Sequence, residues 1–142
     1  DVERSRGLGD VYKRQDQQDK IYVNEIAPRP HNSGHYSLDA ALADQFEAQV
    51  KVLCGFSPPS PHLLSAATMV NLLGDLWPEK GEPDWSCLLQ DPNVKLHLYG
   101  KKIARRGRKM GHFTLLSQRE DLHQGEKLRQ KAVLLWHKLN KV

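Results

Sequence analysis

Asn24 to His35 reads Asn-Glu-Ile-Ala-Pro-Arg-Pro-His-Asn-Ser-Gly-His, and it gathers a carboxylate, a guanidinium, two imidazoles and two amides in one short segment. Each of its prolines fixes its own φ and pushes the residue before it towards extended backbone, so Ala27 and Arg29 are pre-set. Arg29, His31 and Asn32 can therefore aim at one ligand with little entropy left to lose on binding, which is what an anion receptor needs. Gly34 lets the chain turn before His35. The bland alternative is a proline-rich surface connection with solvated polar residues. Four kinds of hydrogen-bonding side chain converging in a dozen positions argue against it.

A second charged group lies far along the chain. Lys101, Lys102, Arg105, Arg106, Arg108 and Lys109 crowd six cations into nine positions. Like charges so close are unfavourable unless water or an anion separates them, and Gly107 permits a sharp turn that could aim Arg108 at a phosphate. A solvated hairpin tip is the ordinary fate of such a run. A nucleic-acid patch is the next alternative, although no aromatic residues interleave with these cations for base stacking.

The elements that must position these groups follow from pattern. Lys20–Val23 has strand composition and ends at Asn24 and Glu25, after a polar turn at Asp16–Asp19. Ser37 or Asp39 is expected to cap one helix with Leu42, Phe46, Val50 and Leu53 on a face, closed by Gly55; Glu47 belongs on its wet side. Ser57–Pro61 reads as a stiff linker. Beyond it, Ala66–Leu73 reads as a buried strand in which Asn71 needs a partner, and Asp84–Leu89 as a short helix burying Trp85 and Leu88. Val94–Tyr99 and Met110–Ser117 are strands, Gly111 allowing close approach of another backbone. Leu128, Ala132, Leu135, Trp136 and Leu139 mark the inner face of a terminal helix. His97 alternates with apolar residues and reads as structural. His35, Lys109 and His112 lean the same way, and Asn71 fits either role.

The chain has 142 residues, a net charge of +4 and a pI near 9.1, enough for one ordinary domain or two small pieces. A surplus this modest is compatible with an anionic ligand without requiring one. Cys54 and Cys87 lack metal-ligand spacing and read as reduced thiols of a cytoplasmic protein. No apolar run approaches a membrane span, and no membrane partner is expected. Asp1–Gln15 has neither helical nor strand period and no initiating Met; it is expected to be a non-native, disordered leader. The domains expected are 16–56, a linker at 57–65, and 66–142.

Val23–His35, Gln45-Phe46-Glu47, Met69–Gly74, His97–Lys101 and Gly107–His112, in this order and spacing, resemble the C-terminal part of the 5-(carboxyamino)imidazole ribonucleotide synthase family of ATP-grasp ligases. The resemblance runs from Lys20 to about Leu116. It implies an α+β fold: the end of an ATP-grasp domain, then a small β-rich domain with a terminal helix. It also implies the family's chemistry, in which ATP activates bicarbonate as carboxyphosphate and the carboxyl group passes to 5-aminoimidazole ribonucleotide. By resemblance Glu25 is a Mg²⁺ ligand at the ATP phosphates and Asn24 assists it. Arg29, His31 and Asn32 face the ribonucleotide, Arg29 being the catalytic candidate, and Lys101 and Arg108 bind its phosphate. A homodimer is implied for the full-length protein, and no nucleic-acid partner.

Some positions depart from the family. Its other metal carboxylate falls within the leader, where Asp10 is no credible substitute, and the nucleotide-gripping lobe is absent. Arg106 stands where proline is frequent. The expectation is a C-terminal fragment, inactive alone. Three alternatives compete: the formate-dependent glycinamide ribonucleotide transformylase, a basic nucleic-acid-binding module using Lys101–Lys109, and a non-catalytic interaction domain. The transformylase typically carries Ser-Pro-Arg-Pro-His-Asp in the loop, so Asn24, Ala27 and Asn32–His35 favour carboxylation.

Overall fold

The computed structural model describes residues 13–15, 21–23, 29–117 and 125–140. β1 (Lys13–Gln15) pairs antiparallel with β2 (Ile21–Val23), Lys13 opposite Val23 and Gln15 opposite Ile21. This corrects the expectation that the leader is disordered throughout, since its residues 13–15 form a strand. Lys-Arg-Gln has no strand pattern of its own; pairing with the β-branched partner decides its conformation, which is why strand propensity is a weak guide.

After the loop come α1 (Ser37–Ala40) and α2 (Gln45–Leu53), where one helix was expected. Ala41 between them is extended and bridges to Leu63. The Leu42 N–H donates to the His62 carbonyl and the Leu64 N–H to that of Ala40. The chain that follows the prolines is thus hydrogen-bonded to residues 40–42, and that pairing breaks the helix. Asp44, not Ser37 or Asp39, caps α2: its Oδ1 accepts from the Phe46 and Glu47 N–H groups. Gly55, at φ +79°, closes it. α2 buries no residue, with Leu42, Val50 and Leu53 at 60% exposure or more, so its apolar spacing does not mark a core face among the described residues. Glu47 pairs with Lys51 on the wet side, as expected.

The second half is a three-stranded antiparallel sheet in the order β3 (Ala67–Leu73), β5 (Lys109–Leu116), β4 (Val94–Leu98). Its register explains the whole arrangement, because alternate residues face opposite sides. Val70, Phe113 and Leu96 form one row, and Thr68, Leu115 and Val94 another. Val70, Leu96, Phe113, Leu115 and Val94 enter the apolar core with α3 (Ser86–Leu89) and α4 (Gly125–Leu139), which contribute Leu88, Leu128, Ala132, Leu135 and Leu139. Complete burial of Leu72, Phe113 and Leu115 stabilises the sheet by roughly 1.5–3 kcal/mol each. The next row, on the other face, is Asn71, His112 and His97. A Cβ at Gly111 would lie 2.4 Å from the His97 carbonyl, so glycine is what lets β4 and β5 approach there. Both cysteines are free, and no helix among the described residues is long and apolar enough to cross a membrane.

Candidate functional site at the loop and the polar face of the sheet

The Arg29–His35 loop is shaped by side chains that bond its backbone. His31 caps a 3₁₀ turn at Asn32–Gly34, its Nδ1 accepting from the Ser33 N–H and lying 2.9 Å from Ser33 Oγ. The Ser37 hydroxyl donates to the Gly34 carbonyl at 2.6 Å and accepts from the Gln45 N–H. Gln45 reaches back from the first position of α2. Its Oε1 accepts from the His31 N–H at 2.8 Å, and its Nε2 donates to the His31 carbonyl at 2.9 Å.

This loop is joined to the polar row of the sheet. Asn32 Nδ2 donates to Asn71 Oδ1 at 2.8 Å, which supplies the partner Asn71 was expected to need. Asp39 on α1 meets His97 Nε2 through its Oδ2 at 2.8 Å. His97 and His112, cross-strand neighbours, stack at 4.6 Å with only 12° between their planes, and the His35 ring lies 5.3 Å from His112. The Tyr99 hydroxyl is 2.8 Å from His112 Nδ1. Burial pushes the His112 pKa down to about 4, with the neighbouring His97 and His35 adding to the effect, and pushes Tyr99 up to about 12. The pair is neutral at pH 7. His35 is lowered too, by burial first and then by Lys109, His31 and His97.

The cationic segment is the β4–β5 connection. Gly107 is left-handed at φ +70°, and its N–H donates to Asp75 Oδ2 at 2.6 Å. A Cβ at Gly74 would lie 2.2 Å from the Arg105 carbonyl, so the hairpin packs directly on the β3 end. Lys101 Nζ donates to the Lys109 carbonyl and lies 5.4 Å from the Tyr99 ring centre. Arg108 turns back to donate to the Ile103 carbonyl at 2.9 Å. Lys101 and Lys102 line a cleft of about 280 Å³ with Trp77, Glu82 and Met110. All six cations are exposed.

Among the sequence-predicted site residues, the structure brings Asn32 against the sheet and places His31 beside it in the loop. Arg29 is exposed and donates to the adjoining Pro30 carbonyl. Lys101 lies over the Tyr99 ring, which is edge-on 6.1 Å from His35. Asn24 and Glu25 lie outside the described residues. Among the described residues, the group with metal-capable atoms is Asp39, His97 and His112. It suits magnesium poorly, since that ion takes oxygen ligands. The near-parallel imidazoles also do not converge their lone pairs on one point. Sequence reasoning assigned no role to Gln45, Tyr99 or Asp75, each of which bonds a site segment from far along the chain, where no local spacing signals it.

Comparison with known proteins places these observations. Residues 12–46 match the ATP-grasp domain model, and residues 67–125 that of the phosphoribosylaminoimidazole carboxylase C-terminal domain. The first match includes residues 12–15 of the expected leader. The chain is 43% identical over 106 residues to N5-carboxyaminoimidazole ribonucleotide synthase of Bacillus subtilis, covering 72% of this chain and 26% of that one. It is 47% identical over 102 residues to phosphoribosylaminoimidazole carboxylase of Schizosaccharomyces pombe, covering 68% and 18%. The Thermotoga maritima synthetase structure superposes with a TM-score of 0.70 at 38% identity, over 87% of this chain and 34% of that one. The Aspergillus clavatus synthase in complex with ADP and 5-aminoimidazole ribonucleotide gives 0.69 at 30% identity, over 89% and 34%.

Fold and matches together define the end of an ATP-grasp ligase carrying a small α+β C-terminal domain. The chain belongs to the N5-carboxyaminoimidazole ribonucleotide synthase family and corresponds to its C-terminal region, spanning about a quarter of the Bacillus subtilis relative.

Proposed function

We propose that the full-length protein carboxylates 5-aminoimidazole ribonucleotide with bicarbonate, driven by ATP, in the cytoplasm and as a homodimer. The observation that carries this reading is the Asn32–Asn71 hydrogen bond, which ties the anion-receptor loop to the sheet bearing the cationic hairpin. Residues 16–56 would be the ATP-grasp end and 66–142 the C-terminal domain, joined at 57–65, with the ligand at their junction, a common place for a site. The Aspergillus clavatus relative, bound to ADP and the ribonucleotide, supports the choice of ligands.

In this reading Arg29 holds negative charge developing on the transferred carboxyl group, and His31 and Asn32 orient the ribonucleotide. Lys101 and Arg108 take its phosphate, Arg108 exchanging the neutral Ile103 carbonyl for an anion, a hydrogen bond roughly twice as strong. Asn24 and Glu25 would offer oxygens to Mg²⁺ at the nucleotide phosphates. Presented alone, the 142 residues should not turn over.

The test supplies the full-length protein with ATP and either bicarbonate plus 5-aminoimidazole ribonucleotide or formate plus glycinamide ribonucleotide. Turnover of the first pair alone is expected, and Arg29→Ala should lower kcat/KM by about 10²–10³. Turnover of the formate pair, or an undiminished Arg29→Ala variant, would overturn the reading. Salt-sensitive binding of oligonucleotides that survives Glu25→Ala would favour the basic module instead.

A further inference from the structure

Gln45 spends every hydrogen-bonding atom of its carboxamide on the loop. Oε1 receives the His31 N–H at 2.8 Å, while Nε2 donates to the His31 carbonyl at 2.9 Å and faces His35 Nδ1 at 2.7 Å. The orientation of an amide is normally inferred from its surroundings, and here the backbone dictates it. A peptide N–H must meet an oxygen and a peptide carbonyl must meet an N–H, so the atom beside His35 is the amide nitrogen. That nitrogen carries two hydrogens, and with one on the His31 carbonyl the other is aimed at His35 Nδ1. Nδ1 must then be the acceptor, which leaves the ring proton on Nε2.

Space has been made for this contact. A Cβ at Gly34 would lie 2.6 Å from Gln45 Oε1, so any larger residue would displace the carboxamide. The Gln45 N–H is itself fixed by Ser37 Oγ, whose hydroxyl donates to the Gly34 carbonyl. The first residue of α2 is thereby bound to both ends of the 3₁₀ turn. The His35 ring is held between Phe46, at 5.5 Å, and the His112 and Tyr99 rings of the sheet.

We propose that Gln45 is the positioning residue of the Arg29–His35 loop: it sets the His31 backbone and fixes His35 as the neutral Nε2–H tautomer, so that the loop meets an anionic ligand already shaped and with a defined donor. The loop shape and the tautomer rest on this geometry alone; only the anionic ligand rests on the proposed function.

The experiment is ¹⁵N NMR of the imidazoles and amide hydrogen exchange on the 142-residue protein, with no substrate present. In the wild type His35 Nδ1 should show the shift of an unprotonated nitrogen and Nε2 that of a protonated one. Gln45→Ala should give a mixture of tautomers and speed exchange of the His31 amide by roughly tenfold. Gln45→Glu keeps an acceptor for the His31 N–H but places a carboxylate at Nδ1. It should move the proton to Nδ1 and raise the pH at which His35 titrates, against the opposing charges of Lys109, His31 and His97. The nearby Asp39, His112 and Tyr99 are unchanged in all three proteins. A wild-type proton on Nδ1, or a Gln45→Ala protein with the wild-type tautomer and exchange rate, would overturn the proposal. The wild-type measurement decides the tautomer even if Gln45→Ala fails to fold.

Discussion

The Arg29–His35 loop and the Lys101–Lys109 hairpin both carry cationic and polar groups, yet they are built in opposite ways. The loop is half-buried apart from Arg29, and neutral groups hold it: Ser33 and Ser37 bond it locally, Gln45 from the start of α2 and Asn71 from the sheet. The hairpin is exposed; Lys101 and Arg108 donate to its own carbonyls at Lys109 and Ile103, and Asp75 is its acidic anchor, taking the Gly107 N–H and facing Arg106. The loop is shaped by the protein's own bonds. The hairpin presents exposed charge, and a bond from Arg108 to a neutral carbonyl is weaker than one to an anion. In the proposed site the loop would be the pre-shaped wall and the hairpin the exposed, electrostatic one.

The most damaging change to this contrast should be Gly111→Val, because its side chain would collide with the His97 carbonyl and part the strands on which both walls stand. A loss of about 3 kcal/mol or more is expected, read as a lower urea midpoint, with loop and hairpin disturbed together. Acid comes next. His112 has its folded pKa depressed, so the unfolded chain binds more protons below pH 6.5; its stabilising contribution is complete above that pH and is lost as pH falls towards 4. The loss is on the order of 3 kcal/mol, and a His112→Asn protein should show a flatter stability profile between pH 6.5 and 4.

Two milder substitutions separate the walls. Asn71→Ala leaves Asn32 Nδ2 without its acceptor and should cost about 1–2 kcal/mol. Amide exchange should quicken in the loop and stay unchanged around Gly107. Asp75→Ala removes the acceptor of the Gly107 N–H, while its Arg106 pair, at 3.6 Å and with Arg106 97% exposed, adds little. A loss of no more than about 1 kcal/mol is expected, with faster exchange at Gly107 and none of the loop resonances displaced. Equal disturbance of both regions by either variant would show that the two walls are not independent.

Much of the sheet was legible. Val94–Leu98, Lys109–Leu116 and Ala67–Leu73 alternate or run apolar between turn residues, and the terminal helix carries Leu128, Ala132, Leu135 and Leu139 at helical spacing because one stripe must face the core. Gly111 was readable for the same reason, since glycine within a strand marks close approach. Less was legible where long-range pairing overrides local pattern. Lys13–Gln15 becomes a strand because Ile21–Val23 is there to receive it, and Ala41 leaves the helix because Leu63 pairs with it.

The sequence by itself determined the family, the α+β class, the chemical character of both charged segments and the alternation that assigns each strand residue to a face. These depend on residue type and on separations of a few positions, where backbone geometry is nearly fixed. Only the tertiary structure decided that Asn71, His112 and His97 share one row, that Asn32 and Asp39 close over it, and that Gln45 locks the loop from a helix fourteen positions away from His31. Register between strands and the reach of a side chain across a turn are set by which packing buries Phe113, Leu115 and Leu72 while bringing Asn71, His97 and His112 on the other face to Asn32, Asp39 and Tyr99. That balance is settled across the whole fold and is written in no single segment.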